Sequence, residues 1–256
     1  MEKMSTKFCC ALTVATAASA VLTATANAEV IIENTAGGLF DTTSGTGTVS
    51  YSLAGAGNAL VFGSYIDNAV NGENVATNAQ FAGAAADGTV QLGRTNAFLF
   101  FDPAASGSVT FTPQAGSTNS AYFILELSGV DTAAGFGTGR FDSITTTVAD
   151  RYVINFQGIN NGTGAGVTPD ADNITTLVGA GNANGEIGGG AIAVGTGLAG
   201  AAGLKPLGWT FDTTVPNVGF GVGEVSFAVS AAVPEPTSLA MLGLGGLAML
   251  RRRRHA

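Results

Sequence analysis

Asp170-Ala-Asp172-Asn173 sets three oxygen-bearing side chains within four positions of a Gly/Pro-containing loop, the donor type that hard divalent cations take. The spacing is not that of an EF-hand, because no glycine follows where the sharp turn needs one and no glutamate closes a twelve-residue loop. Calcium held by Asp170, Asp172 and Asn173 is one reading; turn and capping hydrogen bonds from the same side chains are the other. Glu126 is a further candidate, an acid inside the apolar run 122–127, where burial would raise its pKa. A glycosidase needs two facing carboxyls about 5 to 10 Å apart, and the acid content of the chain permits that. Against a catalytic Glu126 stands period-two alternation, which puts it opposite Leu125 and Leu127 on the polar face of a strand.

What the inventory lacks decides more. The only histidine is His255, and the two cysteines, Cys9 and Cys10, sit near the amino terminus. The body between them therefore has no means of building a Ser-His-Asp triad, a Cys nucleophile or an ordinary zinc site. The expectation is a protein that is not an enzyme, with no catalytic residues and no cofactor beyond that calcium. From Glu29 to Pro236 the basic residues are Arg94, Arg140, Arg151 and Lys205, four against seventeen Asp and Glu, a formal charge of −13. Nucleic acid is excluded as a partner, since its binding draws on Lys and Arg to neutralise phosphates.

The elements that must carry these residues read as short strands. Apolar or alternating runs at 30–33, 48–53, 60–66, 89–92, 97–102, 108–112, 122–127, 143–148, 152–157, 209–212 and 224–229 are separated by Gly, Asn, Asp, Ser and Thr clusters. The fold class expected is all-β: an antiparallel two-sheet sandwich, jelly-roll-like in topology. The continuously apolar runs at 97–101 and 122–127 read as central strands buried on both sides, with Phe98, Phe100 and Phe101 as core. The Gly/Ala-rich stretch 179–203 reads as a long loop with one strand near Ile192 and Val194, or one short helix at 198–204.

Both ends carry addresses. Lys3 and Lys7 precede a small and apolar run, and Ala26-Asn-Ala28 stands before Glu29, the pattern of a signal peptide over 1–28 cut by signal peptidase. The exported domain is then 29–232, followed by an extended segment 233–236 whose Pro234 and Pro236 cannot continue a helix. Residues 237–250 are uncharged, about 21 Å long as a helix at ~1.5 Å per residue, short of a hydrocarbon core of roughly 30 Å. Snorkelling by Arg251, Arg252, Arg253 and Arg254 and local bilayer thinning make up the length of this transmembrane helix. The same arginines, in the tail 251–256, fix the orientation with the body across the inner membrane from the cytoplasm.

Pro234-Glu235-Pro236, a short Leu/Gly/Ala/Met run and four arginines, in that order, resemble the PEP-CTERM sorting signal of Gram-negative envelope proteins. The resemblance implies that an exosortase recognises Pro234, Glu235 and Pro236 and removes the tail. It further implies a transiently anchored protein that ends in the envelope, surface or matrix, in association with extracellular polysaccharide and biofilm. It covers about residues 233–256 and says nothing of the body. The leading expectation for the body is a structural protein of the surface or matrix. A carbohydrate-binding module and a carboxylate glycosidase are the rivals. The binding module is short of aromatic platforms: Trp209, Tyr51, Tyr65, Tyr122 and Tyr152 are its candidates.

Overall fold

The computed structural model describes residues 29–55, 57–67, 74–114, 116, 120–163, 165–170, 175–180 and 190–232. The expected signal peptide 1–28, residues 233–256, Asp172 and Asn173 lie outside them. Among the described residues there are strands and no helix, so the helical alternative for 198–204 gives way to two strand segments joined by a turn. In chain order the strands are β1 (Ile31–Phe40), β2 (Gly47–Ser52), β3 (Ala59–Tyr65), β4 (Ala76–Phe81), β5 (Ala84–Ala85) and β6 (Gly88–Leu92). Then come β7 (Thr95–Phe101), β8 (Ser106–Pro113), β9 (Ser120–Ser128), β10 (Phe136–Arg140), β11 (Ser143–Thr146) and β12 (Tyr152–Asn160). The last are β13 (Val167–Pro169), β14 (Thr175–Ala180), β15 (Gly190–Leu198), β16 (Gly203–Pro206), β17 (Trp209–Phe211) and β18 (Phe220–Val229).

Within the unit 29–231 the ladders form a central sheet β1-β9-β3-β7-β6, a second sheet β2-β8-β4-β5, a larger sheet β14-β15-β12-β18-β10-β11-β16, and the small pair β13-β17. The two-sheet expectation is corrected here: the central sheet is covered on both faces, giving three layers. The reason is visible along its strands. Val61, Leu99, Phe123 and Leu125 pack with Ile154, Phe156, Val225 and Phe227 of the large sheet. Their neighbours Leu60, Phe62, Phe98, Phe100 and Ile124 pack with Val49, Phe81, Val109 and Phe111 of the second sheet. A strand that carries large apolar side chains on both faces has no polar face to offer water, so both faces must be buried. Burying one such side chain is worth about 1.5–3 kcal/mol. Phe62 is the hub of the second core, its ring centroid 5.7 Å from Phe111, 5.9 Å from Tyr122 and 6.1 Å from Phe98.

Gly63 keeps the layers close. A methyl group there would overlap the Phe156 ring of the facing sheet. Gly63→Ala is expected to lower stability by about 2 kcal/mol through overpacking, read as a shift in the urea midpoint with m unchanged.

Candidate functional site: a cleft over a β-bulge

β12 and β18 pair in register as far as Gly158 opposite Gly223; Ile159 then faces Gly221, which leaves Val222 without a counterpart. Such a bulge bends its strand and re-aims the side chains beside it. The alternation of glycine in Gly219-Phe-Gly-Val-Gly223 permits it, because two backbones meet there. A Cβ on Gly93 would run into the Val222 carbonyl, and one on Gly223 into the Leu92 carbonyl. Gly93 also sits at φ +60°, in the left-handed region that glycine enters freely. The β6–β7 turn thus rests on the bulge, with the Thr95 hydroxyl donating to the Gly223 carbonyl at 2.7 Å.

Beside the bulge opens a cleft of about 700 Å³, lined by Leu92, Phe141, Asp142, Gln157, Val222 and Glu224 over the glycine backbone. Phe141 and Asp142 form the two-residue loop of the β10–β11 hairpin, since Arg140 pairs with Ser143. Phe141 holds φ +59°, a strained conformation for an aromatic residue, while its N–H donates to the Glu224 carbonyl at 3.1 Å. Its side chain is 65% exposed. Gln157 commits its amide group to the Gly158 and Gly223 carbonyls, at 2.7 and 3.0 Å.

Glu224 lies at the base of the cleft, buried, with an oxygen accepting from the Asn155 amide at 2.8 Å. Burial pushes its carboxyl up to about 7; the Asn155 hydrogen bond opposes this, the charges of Asp142 and Asp170 add to it, and the Gly208 N–H opposes it. At neutral pH such a group serves both as a donor and as an acceptor. The Asn155 carbonyl oxygen is buried and has no hydrogen-bond partner.

A second polar cluster braces the rim. Arg94 donates to Asp67 at 3.0 Å and to the Tyr65 hydroxyl at 3.2 Å, and that hydroxyl donates to Asn160 at 2.7 Å. Burial pushes the Tyr65 phenol above its ordinary range. These groups satisfy one another, and they fix the β6–β7 turn on which the cleft rests.

Glu126 lies elsewhere, and neither sequence reading of it holds in full. It shares a face with Tyr122 and Ile124, as alternation required, but that face meets the second sheet and not solvent, so the carboxylate is fully buried. One oxygen accepts from the Tyr51 hydroxyl at 3.1 Å and from Ala54 N–H at 2.8 Å, the other from Gly55 N–H at 2.9 Å. Its role is to tie the β2–β3 loop to β9. Burial and Glu126 push the Tyr51 phenol up to about 12.

Of the three residues proposed for calcium only Asp170 is described. Its backbone N–H donates to Gly208 at 2.9 Å and its carboxylate accepts from the Thr210 hydroxyl. Among the described residues no group of three or more His, Cys, Asp or Glu side chains is placed to hold a metal ion. The aromatic candidates are structural: Trp209, Tyr51 and Tyr65 are buried, while Tyr122 and Tyr152 pack against the cores. Phe141, Asp142, Gln157 and Glu224 carry no joint signal in the sequence, where Phe141 and Asp142 fall between candidate strands and Gln157 and Glu224 at the ends of two others. The glycine alternation before Glu224 was the available signal, because glycine inside a strand marks a bulge.

At the carboxyl end, residues 232–254 match the family model of the PEP-CTERM protein-sorting motif. No curated protein and no solved structure matches the chain. The chain carries a PEP-CTERM sorting signal, which implies a protein exported to the envelope or surface of a Gram-negative bacterium and processed by an exosortase.

Proposed function

We propose that residues 29–232 are the mature body of a non-enzymatic structural protein of the cell surface or extracellular matrix, freed from its anchor by cleavage at Pro234-Glu235-Pro236. The observation that carries this reading is the sorting motif at 232–254 behind an acidic body devoid of His and Cys. The saturated hydrogen bonding of Glu126 supports it, since that carboxylate is engaged in holding a loop. Mass spectrometry of the protein from its native envelope is expected to find Glu29 at one end and no residue beyond the motif at the other. A Pro234→Ala/Pro236→Ala variant is expected to accumulate in membranes with Ala256 still attached. Release of reducing sugar from envelope polysaccharides, abolished by Glu224→Gln, would instead make the protein a glycosidase.

Carbohydrate binding is the second reading. The observation that favours it is the cleft over the bulge, which sets an exposed aromatic ring beside carboxyl and amide groups.

A further inference from the structure

We propose that the cleft between the β10–β11 hairpin tip and the Val222 bulge binds an uncharged pyranose unit, stacked on Phe141 and hydrogen-bonded by Asp142 and Glu224. The proposal rests on the carbohydrate-binding reading and adds the position of the site and the chemistry of its ligand.

Three features select that ligand. Phe141 offers an exposed ring on a loop whose left-handed backbone is strained for an aromatic residue, and the ring belongs to no hydrophobic core cluster among the described residues. An aromatic ring presents a flat, weakly negative face, which suits the C–H face of a pyranose. Leu92 and Val222 extend the apolar wall beside the glycine backbone at 93, 221 and 223. Asp142, exposed, and Glu224, at the base, bring planar carboxyls that match the spacing of vicinal hydroxyls.

Charge narrows the choice further. No basic side chain lines the cleft, so a uronate or sulfated chain would meet two carboxyls and no counter-charge. An ammonium group would find the two acids poorly placed to share it, Asp142 exposed at the hairpin tip and Glu224 buried and already bonded to Asn155. An uncharged sugar needs neither.

The test uses the full chain in a non-glycosidic detergent, titrated calorimetrically with maltohexaose, cellohexaose, mannohexaose, polygalacturonate fragments and chitosan hexamer. At least one of the three uncharged hexasaccharides is expected to bind. Phe141→Ala is expected to weaken that binding at least tenfold, as is Asp142→Ala. Phe220→Ala, a similarly exposed phenylalanine outside the cleft lining, is expected to leave it unchanged. Both cleft positions are solvent-exposed, so the variants keep the fold, checked by an unaltered far-UV spectrum. Phe141→Gly adds a readout of opposite sign: relief of the left-handed strain raises the melting temperature while binding is lost. Binding of the uronate or chitosan oligomers alone overturns the uncharged-sugar assignment and leaves the carbohydrate reading standing. Binding that survives both Phe141→Ala and Asp142→Ala overturns the site, and no binding by any of the five overturns both.

Discussion

Glu126→Ala is expected to lower stability by about 3–5 kcal/mol, a large share of the ~5–15 kcal/mol that holds an ordinary domain together. The carboxylate is fully buried and receives hydrogen bonds from the Tyr51 hydroxyl and from the Ala54 and Gly55 N–H groups. Removing it strands these donors at about 1–3 kcal/mol for each buried group left unpaired, and opens a cavity. Glu126→Gln is the informative companion. Its amide supplies one acceptor oxygen and turns an NH₂ toward a remaining donor, so a loss of about 2 kcal/mol is expected. Urea denaturation at pH 7 reads both. A loss below about 1 kcal/mol for Glu126→Ala would refute a tether role. Tyr51 gives a second readout, because its phenol is held up to about 12, against an ordinary 10, by burial and by Glu126. A raised phenol favours the protonated folded state, so its contribution is intact below about pH 10 and is lost as pH rises toward 12. In Glu126→Ala that alkaline loss should shrink.

Glu224→Gln is expected to act in the opposite direction. The folded-state carboxyl titrates at about 7 against 4.5 in the unfolded chain, so the folded protein holds the extra proton between those values. Stability therefore falls as pH rises from about 4.5 to 7 and stays lowered above 7, by up to about 3 kcal/mol at ~1.4 kcal/mol per pKa unit. Glutamine keeps the oxygen that accepts from Asn155 at 2.8 Å and carries no charge to bury. The variant should thus be more stable than the parent at pH 8 and equal to it near pH 4.5, with a flatter profile between. Thermal melts across that range decide it. An undiminished pH dependence in the variant would assign the titration to another group.

The strand pattern was legible element by element but not in its bounds: the run 30–33 reaches only the first residues of β1, and 143–148 overruns β11. Every run singled out in the sequence overlaps a strand, and the stretches 97–101 and 122–127, apolar but for Glu126, lie in β7 and β9 of the doubly covered central sheet. β4, β5, β10, β13, β14 and β16 were not legible, since runs such as Phe136-Gly-Thr-Gly-Arg140 hold too few large side chains to show a period. These strands are specified by partners: β10 pairs along β18 from Phe136 opposite Val229 to Arg140 opposite Val225. The site was the least legible part. Phe141 follows Arg140 in an ordinary turn sequence, and nothing local says that the turn will stand over Glu224, eighty-three positions on.

Composition and short motifs by themselves determined the β class, the missing His and Cys chemistry and the sorting signal, because each is a local property: side-chain inventory, period two, and a linear motif read by another protein. Tertiary structure alone decided that there are three layers, that Glu126 is a buried tether, and that Phe141, Asp142 and Glu224 share a cleft. The physical reason is that alternation says which side chains share a face of a strand, but what lies against that face, water or another sheet, is settled by contacts between residues far apart in the chain.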